Sequence, residues 1–156
     1  MVVGKSEIKV GIVGLGTVGG GTATVLAENA DVIAARATAI RLAAVADIAT
    51  EKARAFLDDI GLKDTVLTDN WHDLINDPEI DIVVETIGGT TLSREVISAA
   101  LKAGKSVVTA NKDLLALYGG ELLAIAAEKQ TDLFFEAAVA GGIPVVQAVK
   151  EGLAGN

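Results

Sequence analysis

Cysteine is absent from this sequence, which excludes disulfides, thiol catalysis and thiolate metal sites together. Histidine occurs once, as His72, so a multi-histidine metal site or a local histidine-based triad has no residues to build on. Cations are scarce as well: 13 lysines and arginines face 21 acids, a formal charge of −8. That balance argues against nonspecific binding to nucleic acid or to anionic membranes. An anionic ligand would need local help, from backbone dipoles or from a few placed cations. No uninterrupted apolar run is long enough to span a bilayer. Repeats, low-complexity tracts and obvious linkers are missing too. Lys5 and the apolar segment after it superficially resemble a signal peptide, but the glycines that follow fit a strand and turn better. The expectation is a soluble, cytoplasmic protein. Its 156 residues suffice for one domain that buries roughly two-thirds of its unfolded surface.

What is present is an alternation of short β-rich runs and longer helical patterns. Strands are expected at 8–13, 40–47, 65–68, 81–87, 106–110 and 132–139. Helices are expected at 17–37, 50–60 (capped by the Thr50 hydroxyl), 91–104, 112–130 (with a possible break at Gly119–Gly120) and 144–152, with Pro144 in its first turn. Segment 71–77 reads as a turn or brief helix closed by Pro78. Strands that are apolar throughout, rather than alternating, imply parallel pairing with helices on both faces. Right-handed crossovers then give an α/β, doubly wound, Rossmann-type sheet, whose ligands sit beyond the carboxyl ends of the strands. Gly14, Thr86, Asn111 and Lys112 all fall at that edge.

The first strand runs into Gly14-Leu15-Gly16-Thr17-Val18-Gly19, a G-x-G-x-x-G that opens a helix. Gly14 permits the tight turn, Gly16 lets a pyrophosphate approach the backbone, and Gly19 lets helix and strand pack closely. The free N–H groups of Thr17 and Val18, with the helix dipole, offer the positive potential that the chain otherwise lacks. A tight turn in any α/β protein could carry the same glycines, but strand–turn–helix context favours a dinucleotide. Asp47 ends the second strand, where a carboxylate can bind ribose hydroxyls and repel a 2′-phosphate. It also reads as a solvated strand end or helix cap. Lys52 and Arg54 follow and could instead meet a 2′-phosphate, so NAD is favoured only weakly over NADP.

Two further residues have two readings each. Lys112 begins a helix in "SVVTANKDLLA", where Asn111 can cap, Asp113 suits the dipole, and the lysine is then merely solvated. Beside a nicotinamide, the same lysine could orient a substrate oxygen and assist proton transfer. Glu136 interrupts "LFFEAAVAGGIPVV" and could be a half-exposed strand residue, or a hard oxygen ligand for an alkali or alkaline-earth cation.

The segments "GLGTVGGG", "DIVVETIGG", "VVTANKDLLA" and "FEAAVAGGIPVVQAVKEGL", in this order, closely resemble the N-terminal cofactor domain of the homoserine dehydrogenases, over nearly the whole chain. The resemblance implies a parent that interconverts L-homoserine and L-aspartate 4-semialdehyde with NAD or NADP, on the route to threonine, methionine and isoleucine. It implies that Thr17 and Val18 contact the cofactor phosphates and that Thr86 to Gly89, with Gly88 between them, border the nicotinamide. Lys112 corresponds to the family lysine near nicotinamide and substrate. Glu136, with the carbonyls of Val139, Gly141 and Ile143, corresponds to a site for sodium or another monovalent cation. Ala46 stands where many relatives carry arginine, which argues against NADP. The family continues into a substrate and dimerisation domain, so residues 1–156 are expected to be its cofactor domain, incomplete as an enzyme, with the parent a homodimer or higher homo-oligomer. A non-catalytic dinucleotide sensor, or a methyltransferase with a similar glycine loop, are the competing expectations.

Overall fold

A computed structural model describes residues 5–138. Six strands form one all-parallel sheet: β1 (Glu7–Val13), β2 (Ala39–Ala46), β3 (Val66–Thr68), β4 (Ile82–Glu85), β5 (Ser106–Thr109) and β6 (Leu133–Phe134). Their order across the sheet is β3-β2-β1-β4-β5-β6. The chain thus builds outwards from β1 to β3, crosses back, and builds outwards again from β4 to β6. The reversal of direction leaves a crevice above β1 and β4, where the loops after the two strands diverge. The doubly wound fold expected from the sequence is the one observed.

The helices are α1 (Thr17–Glu28), α2 (Ala30–Arg36), α3 (Thr50–Asp59), α4 (Trp71–Asn76), α5 (Thr91–Lys102) and α6 (Lys112–Lys129). Each central strand contributes apolar side chains to both faces of the sheet, as its unbroken hydrophobic run predicts. Val84 of β4 joins Val10, Ile12, Ala23 and Leu57 beneath α1 and α3. Its neighbour Val83 joins Ile97, Leu101, Leu114 and Leu122 beneath α5 and α6. Burying a leucine or isoleucine of this kind stabilises the fold by about 1.5–3 kcal/mol. The sheet is therefore a rigid platform whose carboxyl edge is set from both sides.

Four local expectations need correction. The helix expected over 17–37 is two helices, because α1 closes at Asn29: its backbone N–H and its Nδ2 both donate to the Val25 carbonyl, at 3.1 and 3.0 Å. Thr50 is the first residue of α3 rather than its cap, and no side chain caps that helix. Helix α6 runs through Gly119–Gly120 without a break, held by buried Leu114, Leu122 and Ala126. That packing outweighs a helix cost of about 1 kcal/mol per glycine. Strand β4 ends at Glu85 and β6 at Phe134, and Glu136 opens a 3-10 helix, Glu136–Ala138, instead of lying in a strand. The helix expected at 144–152 lies outside the described residues.

Candidate functional site

The glycine turn has the geometry its sequence requires. Gly14 adopts φ +94°, a conformation open to glycine, and its N–H donates to the Ala46 carbonyl at 2.9 Å. Gly19 faces the turn so closely that an added Cβ would lie 2.0 Å from the Gly14 carbonyl oxygen. Gly16 has open space where a Cβ would stand. Gly14 thus makes the turn and Gly19 the close packing, while Gly16 leaves open space above the backbone. Helix α1 carries no side-chain cap and no acid in its first turn, and Gly16, Thr17 and Val18 are exposed. Its first N–H groups have no partner within the helix, so an anion is the natural complement of this end.

Two side chains hold the turn in place. The Thr86 hydroxyl, at the exit of β4, donates to the Gly14 carbonyl at 2.6 Å. Thr86 therefore fixes the glycine turn rather than presenting its hydroxyl to the cleft. Asp47 accepts the Leu15 N–H at 2.6 Å with one carboxylate oxygen and the Ala49 N–H at 2.8 Å with the other. It braces the loop after β2 against the glycine turn and sits beside a small apolar cleft of about 130 Å³, bordered by Ala46, Ile48, Trp71, Ile87 and Leu92. Ile48 is 92% exposed, an apolar surface that a flat ring could cover. Arg54 is turned away from this cleft. Its guanidinium donates to the carbonyls of Lys63 at 3.0 Å and Thr65 at 2.7 Å.

A second cleft of about 230 Å³ lies on the other side of the glycine turn. It brings together Val18, Glu85, Thr86, Gly88, Gly89 and the segment from Ala110 to Asp113. Gly88 and Gly89 have φ of +85° and +69° and form a left-handed turn that exposes backbone. Asn111 ties this turn to α6: its Nδ2 donates to the Gly89 carbonyl at 2.6 Å, while its Oδ1 accepts the Leu114 N–H at 3.1 Å. With the cap supplied by Asn111, the exposed Lys112 is left to face the cleft.

Sequence reasoning passed over Glu85. Its side chain is 0% exposed and accepts hydrogen bonds from Ile87 N–H, Gly88 N–H, Ser93 Oγ and Thr109 Oγ1. The available signal is an acid at the end of a strand apolar on both faces. The cation site expected at Glu136, Val139, Gly141 and Ile143 is only partly visible: Glu136 is half-buried, and the other three lie outside the described residues. Among the described residues, no group of three or more acids or histidines is arranged to hold a metal ion. Among them too, no helix is long and apolar enough to cross a membrane.

An uncapped helix end between a polar and an apolar cleft fits an extended nucleotide, with its diphosphate at α1 and one ring system on each side. The family described as "Homoserine dehydrogenase, NAD binding domain" matches residues 14–136. The chain belongs to this family. It is 51% identical to a homoserine dehydrogenase of Pseudomonas aeruginosa over 149 residues, covering 96% of this chain and 33% of that protein. It is 42% identical to the homoserine dehydrogenase of Bacillus subtilis, covering 96% of this chain and 34% of that one. The crystal structure of a homoserine dehydrogenase from Thiobacillus denitrificans superposes with a TM-score of 0.85 at 52% identity, covering 96% of this chain and 34% of that one. The chain thus spans about a third of the length of the curated relatives it matches, and the part it spans is the NAD-binding domain.

Proposed function

We propose that this domain serves a parent enzyme that interconverts L-homoserine and L-aspartate 4-semialdehyde, with NAD favoured over NADP. The observation that carries the reading is the shared edge: the uncapped end of α1, the left-handed turn at Gly88–Gly89 and Lys112 all border one cleft. The first N–H groups of α1 hold the diphosphate. The apolar cleft at Ile48 and Leu92 takes the adenine end, with Asp47 near the ribose, and the polar cleft takes the nicotinamide end. A bound nicotinamide supplies or accepts the hydride. Lys112 then orients the substrate's reacting oxygen and holds or moves its proton. The NAD preference is supported by the acid at position 47, the alanine at position 46 and the engagement of Arg54 elsewhere. The substrate and dimerisation domain, a homo-oligomeric parent, and a sodium-type cation at Glu136, Val139, Gly141 and Ile143 belong to the same proposal through the family resemblance.

Calorimetric titration of the chain should show NAD(H) binding more tightly than NADP(H); the reverse order would contradict the assignment at Asp47. In the full-length parent, Lys112→Ala should lower kcat by about 10²–10⁴-fold, the range for a positioned proton-transfer group. Cofactor affinity should change little. An unchanged rate would remove Lys112 from the chemistry.

A further inference from the structure

Glu85 carries more charge than its structural duties require. It ends β4 with a fully buried side chain; among the described residues the other buried charged side chain is Lys105. Burial of an ionised group costs several kcal/mol unless donors converge on it. They do: Oε1 accepts the N–H groups of Ile87 and Gly88, at 2.8 and 3.4 Å, and lies 2.9 Å from the Ser93 hydroxyl, whose one hydrogen it shares with the Gly88 carbonyl at 3.0 Å. Oε2 accepts the Thr109 hydroxyl at 2.7 Å. Thr109 Oγ1 itself accepts the Asn111 N–H at 3.0 Å, which leaves its own hydrogen for Glu85. Both oxygens thus have donors within reach, a set suited to holding a carboxylate. The network joins the loop after β4 to the loop after β5, and these two loops line the polar cleft.

A neutral amide could keep most of the contacts on Oε1; the negative charge is what glutamate adds. That charge borders the polar cleft, with Lys112 and Asp113 at the cleft's exposed rim. Solvent and salt screen the rim charges, whereas the buried carboxylate acts through protein. The oxidised nicotinamide ring carries a positive charge and the reduced ring is neutral. We propose that Glu85 biases this cleft towards the oxidised dinucleotide, acting as an electrostatic selector of the cofactor's redox state as well as a tie between the loops. The inference rests on the reading that the nicotinamide end occupies the polar cleft.

The test is the ratio of NAD+ to NADH affinity, measured by calorimetry on the chain and its variants. Glu85→Gln should weaken NAD+ about five- to tenfold more than NADH, as loss of one partly screened charge predicts. Equal weakening of both forms would reduce Glu85 to a positioning residue and overturn the proposal. Ser93→Ala gives a milder variant should Glu85→Gln not fold. It removes one donor and leaves the carboxylate less neutralised, so the ratio should shift about twofold towards NAD+. An unchanged ratio would count against the proposal. Failure of the unaltered chain to bind either form would instead overturn the cofactor reading itself, and this inference with it.

Discussion

Two lysines flank β5 and meet opposite ends. Lys105 precedes the strand, is 5% exposed, and donates from Nζ to the carbonyls of Asp77 at 2.6 Å and Ile80 at 2.8 Å. Lys112 follows the strand and stands exposed at the start of α6. The contrast extends along both edges of the sheet. At the amino edge charges satisfy one another: Lys5 pairs with Asp81 at 2.5 Å, Lys9 pairs with Glu79, and Asp81 also accepts the Lys9 N–H at 2.9 Å. At the carboxyl edge α1 is left without a capping side chain, and with glycine as its N-cap residue it forgoes roughly a few tenths of a kcal/mol. The amino edge closes the fold, while at the carboxyl edge the first N–H groups of α1 are left without a capping side chain.

The strongest way to break this division is to fill the glycine turn. In Gly19→Val the new side chain would begin 2.0 Å from the Gly14 carbonyl and 2.7 Å from Thr86 Oγ1. Stability should fall by about 3 kcal/mol or more, read by urea denaturation, and dinucleotide binding should be lost. A variant as stable and as tightly binding as the parent chain would show that the turn does not set the distance between β1 and α1.

Next in size is the lysine pair itself. Lys105→Met keeps the stem but takes the lysine donor from the buried Ile80 carbonyl and one of two donors from the half-buried Asp77 carbonyl, at a cost of about 2 kcal/mol. Lys112→Met should change stability by about 0.5 kcal/mol or less, as an exposed substitution does. Equal losses would erase the contrast. A smaller loss than that at Lys105 is expected at Asp81. Burial alone would raise its carboxyl, but the hydrogen bonds from Lys5 and the Lys9 N–H, with the charges of Lys5 and Lys105, hold it below the usual aspartate range. A depressed carboxyl stabilises the fold above its unfolded value, and that contribution is lost as pH falls through the folded one. Asp81→Asn should therefore cost about 1 kcal/mol at neutral pH, with the difference shrinking below the ordinary aspartate range. A difference that persists undiminished in acid would assign the loss to packing.

Much of this arrangement is legible in the sequence. Continuous apolar strands such as "IVV" in β4 announce a parallel sheet covered on both faces, and strand–glycine–helix spacing announces the tight turn into α1. The cap at Asn111 is legible because it follows from residue type and position. Other features depend on partners far along the chain. Asp47 is an acid at a strand end until Leu15, brought beside it by β1–β2 pairing, donates to it. Glu85 is concealed within an apolar run, and its donors at Ser93 and Thr109 converge on it through α5 and β5. The break at Asn29 is hidden because apolar residues continue on both sides of it. Local pattern reveals elements and turns; the satisfaction of a polar group across the sheet needs the fold.

The central claim is that the open end of α1 holds the dinucleotide's diphosphate between the two clefts. Backbone amide shifts of the 15N-labelled chain, followed by NMR during titration with NAD+, test it directly. The account predicts that the largest shifts fall on Thr17, Val18 and Gly19, with smaller ones at Ile48 and at Gly88–Gly89. Saturable binding that leaves those α1 amides unmoved would contradict it.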